Sequence, residues 1–470
     1  MTLARSVHSR RVDRVASVLR SYGVGPGRRV AVQAHPDADG VAALLGSGAT
    51  GALVSPIGPR WADEERARAL DLLEPHLVIV GAGVDSPPLS SGRVVLRTAA
   101  LEREARELRD AGTGVQPSAS AKAPEARWLL WTSGTTGAPR GVVLDHSCFR
   151  VSAKAVAVRL GLSASDRWLA SLSFAHVGGL ALLLRARMLG SGIVAAGSFD
   201  PGVFSEVIER EEITHASLVP TQLGRVLDVR KDRPFPPSFR LLLVGGAAIS
   251  SSLLRRALAA RVPMALTWGM TETASQVATA PPPLVREKPG TVGPPLDGME
   301  VEDDPDTGEL RVRGPTLTEG EFRGPEAPPS PLTDRDGWFR TGDVGWFDHD
   351  AHLWITGRIS TRIISGGVTI EPGEVEEVLH DHPGVEEVAV TGMPDEEWGE
   401  RLVAVVVPVD LSRPPSLDAL REFARERLSS PKLPRELKVV AALPRTRTGK
   451  TDRKRLSKVA ASASSGDPAP

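Results

Sequence analysis

At 470 residues the chain exceeds what one compact core organises, so two or three domains are expected. Its 41% apolar and 24% charged residues are ordinary for a globular protein, and a formal net charge of −1 excludes a general nucleic-acid binder. The single cysteine, Cys148, excludes an intrachain disulfide and a multi-cysteine metal site, and it fits a reducing, cytoplasmic setting.

The opening stretch "MTLARSVHSRRVDRVASVLRSYGV" lacks the apolar core of a secretory leader. Val12, Val15, Val18 and Leu19 recur there at helical spacing and predict an amphipathic surface helix. "RRVAVQAH" and "PHLVIVGAG" read as buried strands, with "WADEERARALDLL" as a capped helix between them. Gly112 to Ala126 is a Pro/Ala/Ser-rich linker or loop. From Arg127 strands and helices alternate: "RWLLWTSG", a long helix from about His146, "RWLASLS", and a helix through Leu180–Leu189. "GIVAAG", a helix near Pro201–Glu212, "THASLVP" and "FRLLLVGG" continue the pattern. Such alternation implies mostly parallel sheets, with ligand loops at the strands' C-terminal ends. No run approaches the ~20 uninterrupted apolar residues of a membrane span. The nearest, "GGLALLLRARMLGSGIVAAG", is split by Arg185 and Arg187.

From Val301 the character changes. "MEVEDDPDTGELRVRGPT" reads as a hairpin, and "GWFRTGDVGWFDHDAHLWITGR" as further short strands. Another α/β segment follows Arg358. The boundaries expected are a large domain over 1–357, a hinge at 358–361, a small domain over 362–458 and a disordered tail over 459–470.

The strongest chemical signal is "LLWTSGTTGAPRGVVL" (Leu129 to Leu144). A buried strand enters a loop of small residues and hydroxyls (Ser133, Thr135, Thr136) that ends on the cation Arg140. Close backbone approach plus such donors is phosphate-binding chemistry, although the Walker A spacing fails. In "TWGMTETAS", Trp268 offers a flat face for a base, Glu272 a carboxylate for Mg²⁺, and Thr271 a hydroxyl for a phosphate oxygen. Asp343 in "WFRTGDVGWF" is either an Asx-turn residue or an exposed carboxylate able to chelate both ribose hydroxyls. "GRISTRIISGG" carries Arg358, Gly366 and Gly367. The basic stretch "PRTRTGKTDRKRL" is either a solvated surface or the carrier of one catalytic lysine.

Together and in this order, these strings resemble the adenylate-forming superfamily of acyl-CoA synthetases, peptide-synthetase adenylation domains and luciferases, over nearly the whole chain. The fold implied is α/β. It has a large N-terminal domain of packed, mostly parallel sheets with helices and a small β-rich subdomain, plus a small mobile α+β C-terminal domain. The resemblance implies an AMP-forming acid–thiol ligase using ATP, Mg²⁺ and CoA or a phosphopantetheine. Ser133, Thr135, Thr136 and Arg140 would hold the triphosphate. Gly245, Gly246 and Ala247 with Trp268 and Gly269 would frame the adenine. Thr271 would contact the α-phosphate, Glu272 the Mg²⁺, and Asp343 with Arg358 the ribose. His176 would sit by the acyl pocket and gate the carboxylate. Gly366 and Gly367 would let pantetheine pass, Ser360 would be the hinge residue, and Lys450 would be the catalytic lysine. Lys454 and Lys458 revert to surface charge.

Three strings, "TETASQVATAPP", "THASLVPTQLGRVLD" and "HVGGLALLLRARMLG", are most similar to the o-succinylbenzoate–CoA ligases of menaquinone biosynthesis. A guanidinium at Arg185 within an apolar helix needs an anionic or backbone partner, which a substrate's second carboxylate or a structural ion pair would supply. Arg140 stands where lysine is usual, Ser360 where aspartate is common, and "GGVTI" replaces the usual "GGENI". A secondary-metabolite aryl or alkenoic acid, a carrier-protein acceptor, a non-carboxylate oxyanion and a non-catalytic adenylate binder are the alternatives. No nucleic-acid or membrane partner is expected, and a homodimer is left open.

Overall fold

In the computed structural model, residues 5–6, 9–59, 61–85, 94–110, 126–133, 139–446 and 450–462 are described. The linker expected over Gly112–Ala126 falls outside them, except for the buried Ala126. The chain divides into two compact units. One comprises Met1–Gly246, Ala257–Val301 and Val312–Phe339; the other comprises Ala247–Arg256, Glu302–Arg311 and Arg340–Pro470.

The apolar runs of the first unit become strands of two seven-stranded sheets. One sheet orders Gly320–Glu321, Pro139–Asp145, Arg127–Ser133, Leu53–Ile57, Arg29–Gln33, Leu77–Val80 and Val94–Arg97. Its last five strands pair in parallel, and Arg127–Ser133 turns back antiparallel on Pro139–Asp145. The other sheet orders Arg5–Ser6, Gly192–Ala195, Arg167–Ala170, His215–Leu218, Leu241–Val244, Met264–Met270 and Ser275–Ala280. It is parallel apart from its first and last strands. Runs such as "LLLV" are buried at every position because helices cover both sheet faces.

The helix Ser9–Ser21 buries Val12, Val15, Val18 and Leu19, as its spacing predicts. The helix Asp63–Leu73 differs from expectation: its N-cap is Ala62 and no side chain caps it. Asp63, Glu64 and Glu65 in its first turn instead complement the dipole. One core joins the faces of both sheets through the helices Ala38–Gly48, His146–Leu160 and Val177–Leu189.

In the second unit Gly399–Pro408 is central. It pairs antiparallel with Val385–Asp395 and parallel with Glu436–Val439. The helices Pro372–His380 and Leu417–Arg425 cover one face, and Arg453–Ala461 packs Leu456 and Ala460 on the other. Val459, Ala460 and Ala461, expected in the disordered tail, therefore belong to that helix; residues 463–470 lie outside the described set. A four-stranded sheet orders Glu300–Asp303, Glu309–Arg313, Phe339–Phe347 and Leu353–Arg358. The second hairpin is longer than the short strands expected there. No helix among the described residues is long and apolar enough to cross a membrane.

Gly46 packs directly against the first helix. A Cβ at Gly46 would lie 2.6 Å from Val15 Cγ1. Gly46→Ala is expected to lower unfolding free energy by about 1–3 kcal/mol in urea titrations. Val15→Ala should recover part of that loss in the double mutant, and strict additivity of the two losses would contradict the packing argument.

Candidate active site

The segment read as phosphate-binding falls between two antiparallel strands, Arg127–Ser133 and Pro139–Asp145. Ser133 pairs with Pro139, and Thr132 with Arg140. Residues 134–138, including Thr135 and Thr136, lie outside the described residues. Arg140 is half-buried and forms a 3.2 Å ion pair with Glu321, on a short strand that pairs with Val142. The sequence reading missed both the returning strand and Glu321.

Gly245, Gly246 and Ala247 follow the buried strand Leu241–Val244, and the last two are exposed. Trp268 is only 7% exposed, so its ring lies mostly within the strand Met264–Met270 and is not the open stacking face expected. A bulge separates it from Gly269, whose Cβ would fall 1.7 Å from the Ser275 carbonyl oxygen. Only glycine fits there. The strand ends in the single 3₁₀ turn Thr271–Thr273. The Met270 N–H donates to Thr273 Oγ1 at 3.2 Å, and the Thr318 N–H donates to the Glu272 carbonyl at 2.8 Å. Thr271 and Glu272 thus hang half-buried from a pinned backbone. Glu272 pairs with no basic side chain among the described residues, so its carboxylate suits a divalent cation.

Asp343 corrects the sequence reading most clearly. It is not an exposed turn residue; it is 6% exposed in the strand Phe339–Phe347, in register with Arg358 on Leu353–Arg358. Phe339, Thr341 and Asp343 alternate inward, and the Asp343 carboxylate accepts from the Arg358 guanidinium. The Asp343 N–H donates to Thr341 Oγ1 at 3.0 Å, and the Thr341 hydroxyl donates to the Leu310 carbonyl at 2.7 Å. Glu309, itself buried, accepts the Gly342 N–H at 3.0 Å and pairs with Arg340. Glu309 was not singled out from sequence, although an acid at an inward-facing strand position is a readable signal.

Lys450 follows residues 447–449, which lie outside the described set. Its carbonyl accepts from the Thr446 N–H at 2.7 Å, and the Asp452 N–H donates to Pro444 O at 2.8 Å. The next helix is anchored by Arg453, which donates to Glu376 Oε1 at 2.8 Å and to the Val390 carbonyl at 2.7 Å. Glu376 also accepts the Val390 N–H at 2.7 Å. Lys450 is exposed as a residue, yet desolvation at its ammonium lowers its pKa. Arg358 pushes the same way and Asp343 opposes, so the direction stands even for a partly hydrated ammonium. Asp343, Arg358 and Lys450 therefore share one electrostatic neighbourhood.

Ser360 is exposed in the 3₁₀ turn Ile359–Thr361. Gly366 and Gly367 form a two-residue hairpin turn with φ +59° and +77°, the double positive φ of a type I′ turn. Their identity thus has a local backbone cause.

His176 is half-buried at the start of the helix Val177–Leu189. Arg185 in that helix is 4% exposed, and no hydrogen-bond or ion-pair partner meets it among the described residues. Its one cationic contact is with Trp168, whose ring centroid lies 5.2 Å from Cζ. Burial lowers its pKa to about 10, so it stays charged at neutral pH. Arg187 instead pairs with Asp13 at 2.9 Å.

These features converge with known proteins. Residues 8–320 match the AMP-binding enzyme family, and residues 374–450 match the AMP-binding enzyme C-terminal domain. The chain belongs to this family of adenylate-forming enzymes. It is 39% identical over 345 residues to the 2-succinylbenzoate–CoA ligase of Geobacillus kaustophilus, covering 71% of this chain and 69% of that one. The Listeria monocytogenes serotype 4b enzyme of the same name is 35% identical over 328 residues, covering 70% and 69%. Among solved structures, the Bacillus subtilis o-succinylbenzoate CoA synthetase in complex with its acyl-adenylate intermediate superposes with a TM-score of 0.82. It is 28% identical, covering 97% of this chain and 93% of that one. The same enzyme with ATP and magnesium gives 0.82 at 29% identity, covering 95% and 93%.

Beside Trp168 lies His215, at 4.9 Å between ring centroids. Desolvation lowers its pKa from 6.5 to about 4; Asp166 opposes, while Arg240 and Arg185 add to the fall. The unfolded chain therefore binds a proton that the folded chain refuses between those values. Stability should fall as pH drops from 6.5 toward about 4. His215→Gln should flatten that slope in urea midpoints measured across the window; an unchanged slope would contradict the assignment.

Proposed function

We propose that this enzyme uses ATP to activate a carboxylic acid as its acyl-adenylate and transfers the acyl group to CoA, with a 2-succinylbenzoate-type dicarboxylate as the acid. That would place it in menaquinone biosynthesis. The observation that carries the choice of acid is Arg185, a buried cation without a carboxylate partner among the described residues, in a chain similar to ligases of that substrate.

In the first half-reaction a substrate carboxylate oxygen bonds to the α-phosphorus, and the α–β bridging oxygen leaves with pyrophosphate. Ser133, Thr135, Thr136 and Arg140 hold the triphosphate in this reading, with Gly245, Gly246, Ala247, Trp268 and Gly269 around the adenine. Thr271 contacts the α-phosphate, and Asp343 with Arg358 takes the ribose. Glu272 would hold Mg²⁺, which supplies neutralisation of triphosphate charge. No protein nucleophile is needed; positioning and charge stabilisation lower the barrier. Lys450 bridges the attacking carboxylate and the α-phosphate. In the second half-reaction the thiol sulfur attacks the acyl carbon, AMP leaves with its phosphate oxygen, and the thiol proton passes to solvent. Residues 358–361 serve as the hinge about which the domain over 362–458 moves, and Gly366 and Gly367 give pantetheine close passage. The 3₁₀ turn at Ile359–Thr361, in which Ser360 is exposed and no residue is buried, and the gap between the two family matches support that placement. His176 at the helix entrance gates the carboxylate.

Pyrophosphate exchange across a panel of carboxylic acids, followed by mass analysis with CoA, tests the reading. Exchange with o-succinylbenzoate and a CoA thioester of matching mass are expected. Exchange with no acid would sink adenylation, and exchange only with monocarboxylic acids would remove the dicarboxylate assignment. A product formed only with a phosphopantetheinylated carrier would replace CoA as acceptor.

Lys450→Ala is expected to slow single-turnover adenylation about 100-fold or more, the scale of losing one transition-state charge donor. Thioester formation from supplied acyl-adenylate should stay within about threefold of the parent, because the residue acts in the first half-reaction only. Equal losses in both would contradict the role.

A further inference from the structure

Three observations meet on one face of the parallel sheet in the first unit. Arg185 is buried, charged and without an anionic partner among the described residues. Its guanidinium lies over the indole of Trp168, which is fully buried. Trp168 in turn is the register partner of His215 on the adjacent strand, and the two rings stand 4.9 Å apart at a 35° tilt. His215 is fixed by Thr214 Oγ1 at 2.6 Å and faces the buried Asp166 at 3.7 Å. Asp166 is itself held by the Ser163 N–H at 2.7 Å and by Arg240.

Asp166 is therefore satisfied by other partners. An aromatic face can hold a cation through its quadrupole without neutralising it. That distinction matters for recognition. A carboxylate in the same place would cancel the Arg185 charge and remove the reason for an anion to enter. Two buried polar hydrogens, Arg185 Nε–H and Trp168 Nε1–H, also lack acceptors among the described residues. Buried donors of this kind are costly unless a partner arrives.

We propose that Trp168 is the specificity-determining positioning residue of the acid site: its indole face holds Arg185 in place while leaving the guanidinium's charge for the substrate's second carboxylate. The inference rests on the dicarboxylate reading above and adds the device that makes it selective. Trp168 acts through Arg185, so its loss affects ground-state binding of the diacid and spares the chemistry at phosphorus.

The test compares o-succinylbenzoate with its two monocarboxylic analogues in steady-state assays of the intact enzyme. Trp168→Leu is expected to raise KM for the diacid about tenfold or more, with kcat within about threefold and the monoacid constants unmoved. Trp168→Phe retains an aromatic face and should restore KM to within about threefold. Should the leucine variant fail to fold, tetrafluorotryptophan installed at position 168 keeps the shape while draining the π face, and should give the same selective rise. Arg185→Ala separates the two levels. If it leaves the diacid-to-monoacid ratio unchanged, the dicarboxylate reading fails. If it collapses the ratio while folded Trp168→Leu and the fluorinated residue do not, the role of Trp168 is overturned and the reading stands.

Discussion

Burial of the parallel strands on both faces is the constraint from which the rest follows. Strands such as Leu241–Val244 and Leu77–Val80 are buried at every position, so polar chemistry within them has nowhere to go. It is pushed to the strand ends. The exposed Gly246 and Ala247, and the 3₁₀ turn carrying Thr271 and Glu272, are ends of this kind. The chemistry of adenylate formation is mostly positioning, which suits side chains hung from fixed backbone. Glu272 illustrates this, since hydrogen bonds on either side hold its turn while its carboxylate meets no basic partner among the described residues.

Where charge does enter the interior, the protein uses two different solutions. Asp343, Glu309 and Asp166 are each paired with an arginine. Such pairs fix geometry more than they stabilise the fold, because desolvation consumes most of the Coulomb attraction. Their effect at Asp343 is to lock a short run: Glu309 holds the Gly342 N–H, Thr341 holds the Asp343 N–H, and Arg358 holds the carboxylate. Arg185 is the opposite case, a buried cation resting on an aromatic ring. An unfinished interaction in the interior of one protein is a reason to look for a second molecule.

Much of this was legible in the sequence, and the failures have definite causes. Apolar periodicity located most strands and helices because burial on one or both faces leaves a direct imprint on residue choice. The candidate site strings stood out because glycine, hydroxyls and a cation together offer the close approach and donors that suit an anion. Asp343 was misjudged because "TGD" has the composition of a turn; the inward alternation of Phe339, Thr341 and Asp343 carried the correct answer. Trp268 was given an open face because ring type says nothing about which side of a strand is covered. Glu309, Glu321, Trp168 and Glu376 act through partners 14 to 181 residues away in the chain, and local pattern has no access to such contacts.

Two of the three departures from the family pattern, at Gly366–Ile370 and at Arg140, can also be given physical content. Gly366 and Gly367 are required by the φ values of their hairpin turn whatever passes over them, so the change from "GGENI" to "GGVTI" leaves the turn intact and alters only the side chains that follow. Arginine at position 140 is not a simple substitute for lysine. A guanidinium has several N–H donors in a planar fork, so it can face Glu321 and still present donors elsewhere, which a compact ammonium does less readily. Glu321 and Arg140 stand on neighbouring strands of one sheet, where the acid restrains the arginine side chain. The arginine thus comes with its own restraint, and its charge is oriented by the sheet.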